Sequence, residues 1–195
     1  MRQPPIENQI IKRNYKYFVI HIAINTLFFQ LTTFMKSIQI RQIQINDNQQ
    51  IASIIREVLT EYGGNMKGTA YYDADTDNMS SAYKNDGQIY FVALLNDELV
   101  GGCGIQQLKG DDAAYCELQK LYILKKARGL GIGKMLTEKC LQFAENYGYK
   151  FCYLETLPNM IEAQNIYLKF NFQYLSQQIG NTGHNSCNVW MLKKF

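Results

Sequence analysis

The chain has 195 residues, 47% hydrophobic and 19% charged, which suits one globular domain and excludes an intrinsically disordered chain. Three prolines and 14 glycines exclude collagen-like and Pro-rich low-complexity material. The formal charge of +3, with no run of five like charges, does not point to nucleic acid as a partner but would suit an anionic small molecule.

Residues 1–34 differ from the rest. Arg2, Lys12, Arg13 and Lys16 precede residues 17–35, which contain no Asp, Glu, Lys or Arg and approach the ~20 residues of a membrane helix. His21, Asn25, Gln30 and three threonines make a poor span. Leu31-Thr32-Thr33-Phe34 offers no small-residue cleavage site. Three readings stay open: an extension upstream of a true start at Met35, a weak membrane anchor, or a peripheral helix. A membrane is an expected partner only if residues 17–34 are an anchor. The working domain is expected over 35–195.

From Met35 the elements follow in order. Ile38, Ile40 and Ile43 alternate with polar residues and predict a strand over 37–44. Asp47 with Gln50 has capping-box spacing; Ile51, Ile54, Ile55, Val58 and Leu59 then predict a helix to about Tyr62, stopped by Gly63-Gly64. A polar loop over 65–80 leads into a short helix ending near Lys84. Strands are predicted over 89–95, 99–107 and 114–124, joined by turns at Asn96-Asp97 and Gly110–Asp112. In the third, Cys116, Leu118, Lys120 and Tyr122 alternate with Glu117, Gln119, Leu121 and Ile123.

After Arg128-Gly129-Leu130-Gly131-Ile132-Gly133 the period becomes helical. Ile132, Met135, Leu136, Cys140, Phe143, Ala144 and Tyr147 share one face, and Gly148 ends the helix. A buried strand is expected over 151–154. A helix opening at Pro158-Asn159 has Asn159 and Glu162 at capping-box spacing, with Ala163, Ile166, Tyr167 and Phe170 inward. Strands over 172–175 and 188–192 finish the chain. The order β-α-α-β-β-β-α-β-α-β-β predicts an α+β fold, a mixed and mostly antiparallel sheet of about seven strands with helices on both faces. The cysteines at 103, 116, 140, 152 and 187 are scattered without C-x-x-C, and there are two histidines. A metal site is not expected, and the cysteines read as reduced thiols of a cytoplasmic protein.

A strand running into Arg-Gly-x-Gly-x-Gly and then a helix is a place for phosphate. The glycines let backbone N–H groups turn inward, the helix N-terminus is positive, and Arg128 and Lys134 flank the loop. A P-loop needs four residues before Gly-Lys and then Ser or Thr; here there are three, and Met135 follows. A Rossmann fingerprint needs its third glycine one position later, although Glu155 sits near the distance of a ribose-binding acid. A nucleotide-binding oxidoreductase and a bare turn remain alternatives.

Arg128-x-x-Gly131-x-Gly133 resembles the Q/R-x-x-G-x-G/A acetyl-CoA loop of the GNAT N-acetyltransferases. Residues 117–123, ELQKLYI, resemble that family's fourth strand. Residues 163–172, AQNIYLKFNF, resemble its A-x-x-x-Y-x-x-x-G-F segment, with Asn171 in place of the usual glycine, and residues 116–174 are most similar to small bacterial-type members. The resemblance covers about 35–195 and implies acetyl-CoA as co-substrate. Backbone groups of Leu121, Tyr122 and Ile123 would meet the pantetheine arm. The amides of Arg128, Gly129, Leu130, Gly131, Ile132, Gly133 and Lys134 would hold the pyrophosphate. Asn159 would touch the coenzyme or be a plain helix cap.

Acyl transfer to an amine needs a neutral amine, a polarised carbonyl and a proton for the leaving thiolate. The resemblance implies Tyr167 as general acid, against a core aromatic. It implies Glu117 as water-mediated base, against an exposed carboxylate or a partner for Lys120. Tyr71, Tyr72, Asp73 and Asp77 would meet a cationic amine, against a solvated acidic loop. His184 would be a base or substrate contact, against an idle loop histidine. The expected acceptor is a primary amine on a small molecule, and a homodimer is the expected assembly if any. The alternative is a non-catalytic acyl-CoA-binding module on the same fold.

Overall fold

The computed structural model describes residues 36–110 and 112–195. The expected N-terminal extension, with its anchor, peripheral-helix and upstream-start readings, lies outside the described residues. Strand β1 (Ile38–Gln42) is shorter than predicted because the chain turns away after Ile43, whose N–H makes a last bond to the Tyr90 carbonyl at 2.9 Å. Asp47 explains the departure: its carboxylate accepts both Arg41 terminal nitrogens, at 2.6 and 2.8 Å, and the Gln44 N–H at 2.7 Å. It therefore closes the turn over 45–47, and the predicted pairing with Gln50 does not form. Gln50 donates instead to the Leu99 carbonyl.

Helix α1 (Asn48–Glu61) buries Ile51, Ala52, Ile54, Ile55, Val58 and Leu59, the predicted stripe plus one alanine. A short α2 (Met79–Ala82) follows the polar loop. Strands β2 (Ile89–Leu95) and β3 (Glu98–Gln107) form a hairpin through Asn96 and Asp97, both at positive φ, the backbone a two-residue hairpin turn needs. Next come β4 (Tyr115–Ile123), α3 (Ile132–Tyr147), β5 (Phe151–Thr156), α4 (Ile161–Lys169), β6 (Gln173–Tyr174) and β7 (Val189–Lys194). Gly148 ends α3 at φ 105, and Asn171 turns α4 toward β6 at φ 65. Asparagine tolerates that left-handed backbone better than most residues.

Two helix details differ from the prediction. On α3, Met135 and Tyr147 are exposed, while Gly133, Thr137 and Leu141 join the buried face. On α4 the helix starts at Ile161 with Met160 in the cap position, so Asn159 and Glu162 form no capping box.

The strands make one sheet in the order β1-β2-β3-β4-β5-β7-β6, with β4–β5 the parallel pair and every other pair antiparallel. One face carries α3, Tyr167 of α4, and Cys103, Cys116, Cys140 and Cys152 in the larger core. The other carries α1 and a second core with Tyr83 and Tyr90. This is the expected α+β architecture with helices on both faces. Residues 38–195 form one unit, and no helix among the described residues is long and apolar enough to cross a membrane.

The predicted alternation of β4 breaks at Lys120, which adopts φ 53, opposite a register shift between Gly102 and Gly104. Such a bulge reverses the side-chain faces beyond it. Cys116 and Leu118 therefore share the larger core with Leu121 and Ile123, whereas Tyr122 packs in the second. The Tyr90 hydroxyl donates to the displaced Lys120 carbonyl at 3.0 Å. Glycine is needed opposite: a Cβ at Gly102 would strike the Tyr90 ring and approach the Phe91 carbonyl oxygen to 2.7 Å.

Gly102→Ala is therefore expected to cost about 2 kcal/mol by overpacking, measured as a lower urea midpoint at unchanged m-value. An unchanged midpoint would mean that β3 shifts freely and that the glycine is not required.

Candidate active site

Strands β4 and β5 pair only through Tyr115–Phe151, Cys116–Cys152 and Glu117–Tyr153. Past Glu117 the bulge carries β4 away, and a cleft of about 480 Å³ opens. Its walls are Leu121 and Ile123 of β4, the loop and first turn of α3, Met160, Ala163 and Ile166 beside and on α4, and Val58 and Tyr62 of the α1 end.

The glycine loop shapes one end. Gly129 and Gly131 sit at φ 76 and 81, and among the described residues, chain neighbours aside, nothing lies within 4 Å of where their side chains would begin. Gly131 occupies the N-cap of α3 without a capping side chain, which leaves the first-turn N–H groups for an anion. A Cβ at Gly133 would stand 2.8 Å from Ile166 Cδ1, so this glycine keeps the cleft open. Lys134 and Lys169 add charge to the wall. Leu130 and Tyr122 are not on the wall; Leu130 packs on the larger core and the bulge turns Tyr122 to the opposite face.

Arg128 is not a free cation in this arrangement. Its two terminal nitrogens donate to Glu61 at 2.7 Å each, Nε donates to the Ile123 carbonyl at 2.9 Å, and the guanidinium lies over the Tyr62 ring. It pins the end of α1 to the glycine loop. Asn159 serves the same corner by donating to the Tyr62 carbonyl at 2.9 Å. Neither partner was foreseeable from spacing, since Glu61 lies 67 residues from Arg128.

On the opposite sheet face a polar cluster surrounds Glu117. That carboxyl is buried, and burial pushes its pKa up to about 7 despite the hydrogen bond from Gln119. Gln119 Nε2 donates to Glu117 Oε2, and the Tyr83 hydroxyl donates to Gln119 Oε1 at 2.8 Å. On β5, Glu155 Oε1 accepts from Tyr153, Gln178 and Thr182, while Oε2 is buried with no partner among the described residues. Asp73 Oδ2 accepts from Lys120 Nζ at 2.8 Å and lies 3.0 Å from His184 Nε2. Burial alone would raise the Asp73 pKa, but His184 and Lys120 outweigh it and hold the carboxyl well below the usual range.

The structure thus joins Asp73 and His184 and separates them from two predicted neighbours. Asp77 is engaged by Arg56, and Tyr71 lines an open groove on α1 with both of them. Lys120, Gln119 and Tyr83 were missed as site residues; the period of two in β4 placed Gln119 beside Glu117, but nothing local marked Tyr83. Tyr167 is buried against Phe172, their ring centroids 5.8 Å apart, one helical turn from the wall residue Ala163. Burial raises its pKa well above the ordinary phenol value, so the hydroxyl keeps its proton.

The model of the Acetyltransferase (GNAT) family matches residues 52–172. An uncharacterised N-acetyltransferase of Escherichia coli K12, YjgM, is 38% identical over 155 residues, 79% of this chain and 93% of its own. Among solved structures, a GNAT acetyltransferase from Staphylococcus aureus Mu50 superposes with a TM-score of 0.71 at 22% identity, over 81% of this chain and 99% of that one. An acetyltransferase from Salmonella typhimurium, solved with acetyl-CoA, has a TM-score of 0.63 at 18% identity, over 80% and 93%.

The Asp73 cluster makes one stability prediction. Asp73→Ala leaves the Lys120 side chain, 6% exposed, without its anion, which should cost about 3 kcal/mol. Because the folded pKa of Asp73 is depressed, its contribution is complete above the unfolded value of about 3.9 and is lost as pH falls below that. Thermal melts and amide exchange over 182–187 should show both effects; equal protection in wild type and variant would contradict them.

Proposed function

The chain belongs to the GNAT family of acetyltransferases, and from that premise we propose that it transfers the acetyl group of acetyl-CoA directly to a primary amine of a small molecule. The observation that carries the reading is the splay of β4 and β5. It begins directly after the Glu117–Tyr153 pair, so that an uncapped, glycine-lined helix N-terminus borders the cleft on one face of the sheet and a buried carboxyl whose pKa is pushed up to about 7 stands at the branch point on the other. The empty space beside Gly129 and Gly131 and the apolar walls from Leu121, Ile123 and Ile166 fit a pyrophosphate followed by an apolar arm. When bound, acetyl-CoA supplies the activated thioester.

The side chains of this protein then have distinct tasks. The amides from Arg128 to Lys134 hold the pyrophosphate, with Lys134 and Lys169 on the wall as cations for it and Arg128 as the structural pin beneath. Glu117 takes a proton from the acceptor ammonium, directly or through water, and a pKa near 7 suits that task at neutral pH. As the C–N bond forms and the C–S bond breaks, Tyr167 gives its proton to the departing sulfur, and the proton that the new amide nitrogen sheds restores the phenol. Glu117 and the unpartnered Oε2 of Glu155 favour a cationic acceptor over an anionic one. Asp73 and His184 stand on that side as a pair, and Tyr71, in the separate groove on α1, takes no part.

Two measurements test this. Acetyl-CoA should raise the melting temperature, and an amine panel should yield at least one acceptor that releases free thiol; no stabilisation by the coenzyme would overturn the reading. With that acceptor, log kcat/KM should rise with unit slope up to pH about 7 and then level. Glu117→Gln and Tyr167→Phe should each lower kcat about 100-fold with acetyl-CoA affinity unchanged, and only Glu117→Gln should abolish the acid limb.

A further inference from the structure

We propose that Gln119 and Tyr83 are positioning residues for Glu117: the Tyr83 hydroxyl fixes the Gln119 amide, and that amide fixes which Glu117 oxygen faces the acceptor. The proposal rests on reading Glu117 as the base. The three side chains are buried, with exposures of 2% for Glu117, 8% for Gln119 and 2% for Tyr83. Gln119 is the one hydrogen-bond donor to the Glu117 carboxylate among the described residues, and it takes Oε2. Oε1 is thereby left for the acceptor. Tyr83 takes the far end of the amide at 2.8 Å.

The identity of these two groups matters. An arginine or lysine beside Glu117 would hold it ionised, and an apolar neighbour would hold it protonated. An amide backed by a phenol favours the ionised form without a charge of its own to lock it there. With Glu117 ionised, Nε2 donates to it and Oε1 accepts from Tyr83. When Glu117 has taken a proton, the amide can turn over, accepting from the carboxyl and donating to the phenol oxygen, since both groups work either way. The chain stays hydrogen-bonded in both charge states, as a base that cycles between them requires. It ends at the Tyr83 ring, packed against Tyr90 at 5.1 Å, so it orients the carboxyl and is not a path to solvent.

The sheet is built to admit this chain. Gly104 pairs with Gln119, and a Cβ there would stand 2.6 Å from Tyr83 Cε1 and from Tyr90 Cδ2. Glycine lets the Tyr83 ring, arriving just after α2, lie across β3 and reach the amide. The other groups that face Glu117 are committed elsewhere or approach without a hydrogen bond. Lys120 and His184 serve Asp73, and Tyr153 serves Glu155. Glu155 and Cys187 act on Glu117 only through space.

The test follows the Glu117 carboxyl carbon by NMR across neutral pH in the full chain labelled at glutamate, its signal assigned by its loss in Glu117→Gln. The wild-type midpoint is expected near 7. Gln119→Met removes the donor that favours the ionised form and should move the midpoint up by about one pH unit, roughly tenfold less carboxylate at a given acid pH. Tyr83→Phe frees the amide and should move it the same way by less; if Gln119→Met does not fold, this variant decides alone. A merely structural role would lower the melting temperature with the midpoint unmoved, and that result overturns the proposal. If the midpoint moves while the acid limb of kcat/KM with the panel amine stays, the base reading fails and the positioning stands. If neither moves, the positioning fails and the base reading stands.

Discussion

Lys120 sits in a left-handed backbone conformation in the middle of a strand, and the working parts of the molecule follow from it. A non-glycine residue there costs on the order of 1 kcal/mol, and the surroundings hold it in place. The Tyr90 hydroxyl donates to the displaced carbonyl, Asp73 binds the ammonium, and Gly101, Gly102 and Gly104 leave room opposite. In return β4 turns away from β5 after a single short run of parallel pairing. The bulge presents Leu121 and Ile123 to the cleft and leaves Glu117 and Gln119 on the opposite face. One irregular residue thus divides a strand into a half that faces the cleft and a half that faces the polar cluster.

The segment from Glu61 to Asp73 is tied at both ends to these two halves. Glu61 binds Arg128 at the glycine loop, and Asp73 binds Lys120 at the bulge and His184 from the β6–β7 connection. The first pair is partly exposed and contributes little by itself. The second encloses a lysine that is almost fully buried and is correspondingly costly to break. The same segment therefore borders both the cleft mouth and the polar cluster, so the two halves share one strap.

Much of this was legible locally. Alternating isoleucines, the helical stripe of α1, the Asn96-Asp97 turn and the Gly148 stop each follow from short-range geometry, and the elements occur in the predicted order, with β1 and α4 differing at their ends. Local pattern failed where a distant partner intervened. Asp47 has the right spacing for a helix cap, but Arg41 takes its carboxylate. Asn159 has the right spacing too, but it is drawn to the Tyr62 carbonyl. Arg128 reads as a phosphate ligand beside its glycines, whereas Glu61 fills its fork.

By itself the sequence determined the element order, the glycine loop before α3 and the residue types available for acyl transfer, because those depend on neighbours within a few positions. Only the tertiary structure decided what these residues do to one another. Burial, not residue type, raises the Glu117 carboxyl toward neutrality, while His184 and Lys120 hold that of Asp73 far below its ordinary range. The amide hydrogen-bonded to Glu117 accepts in turn from a tyrosine 36 residues from Gln119. Charge state and hydrogen-bond partnership are set by what folding brings into contact, and the chain, read in order, does not carry that information.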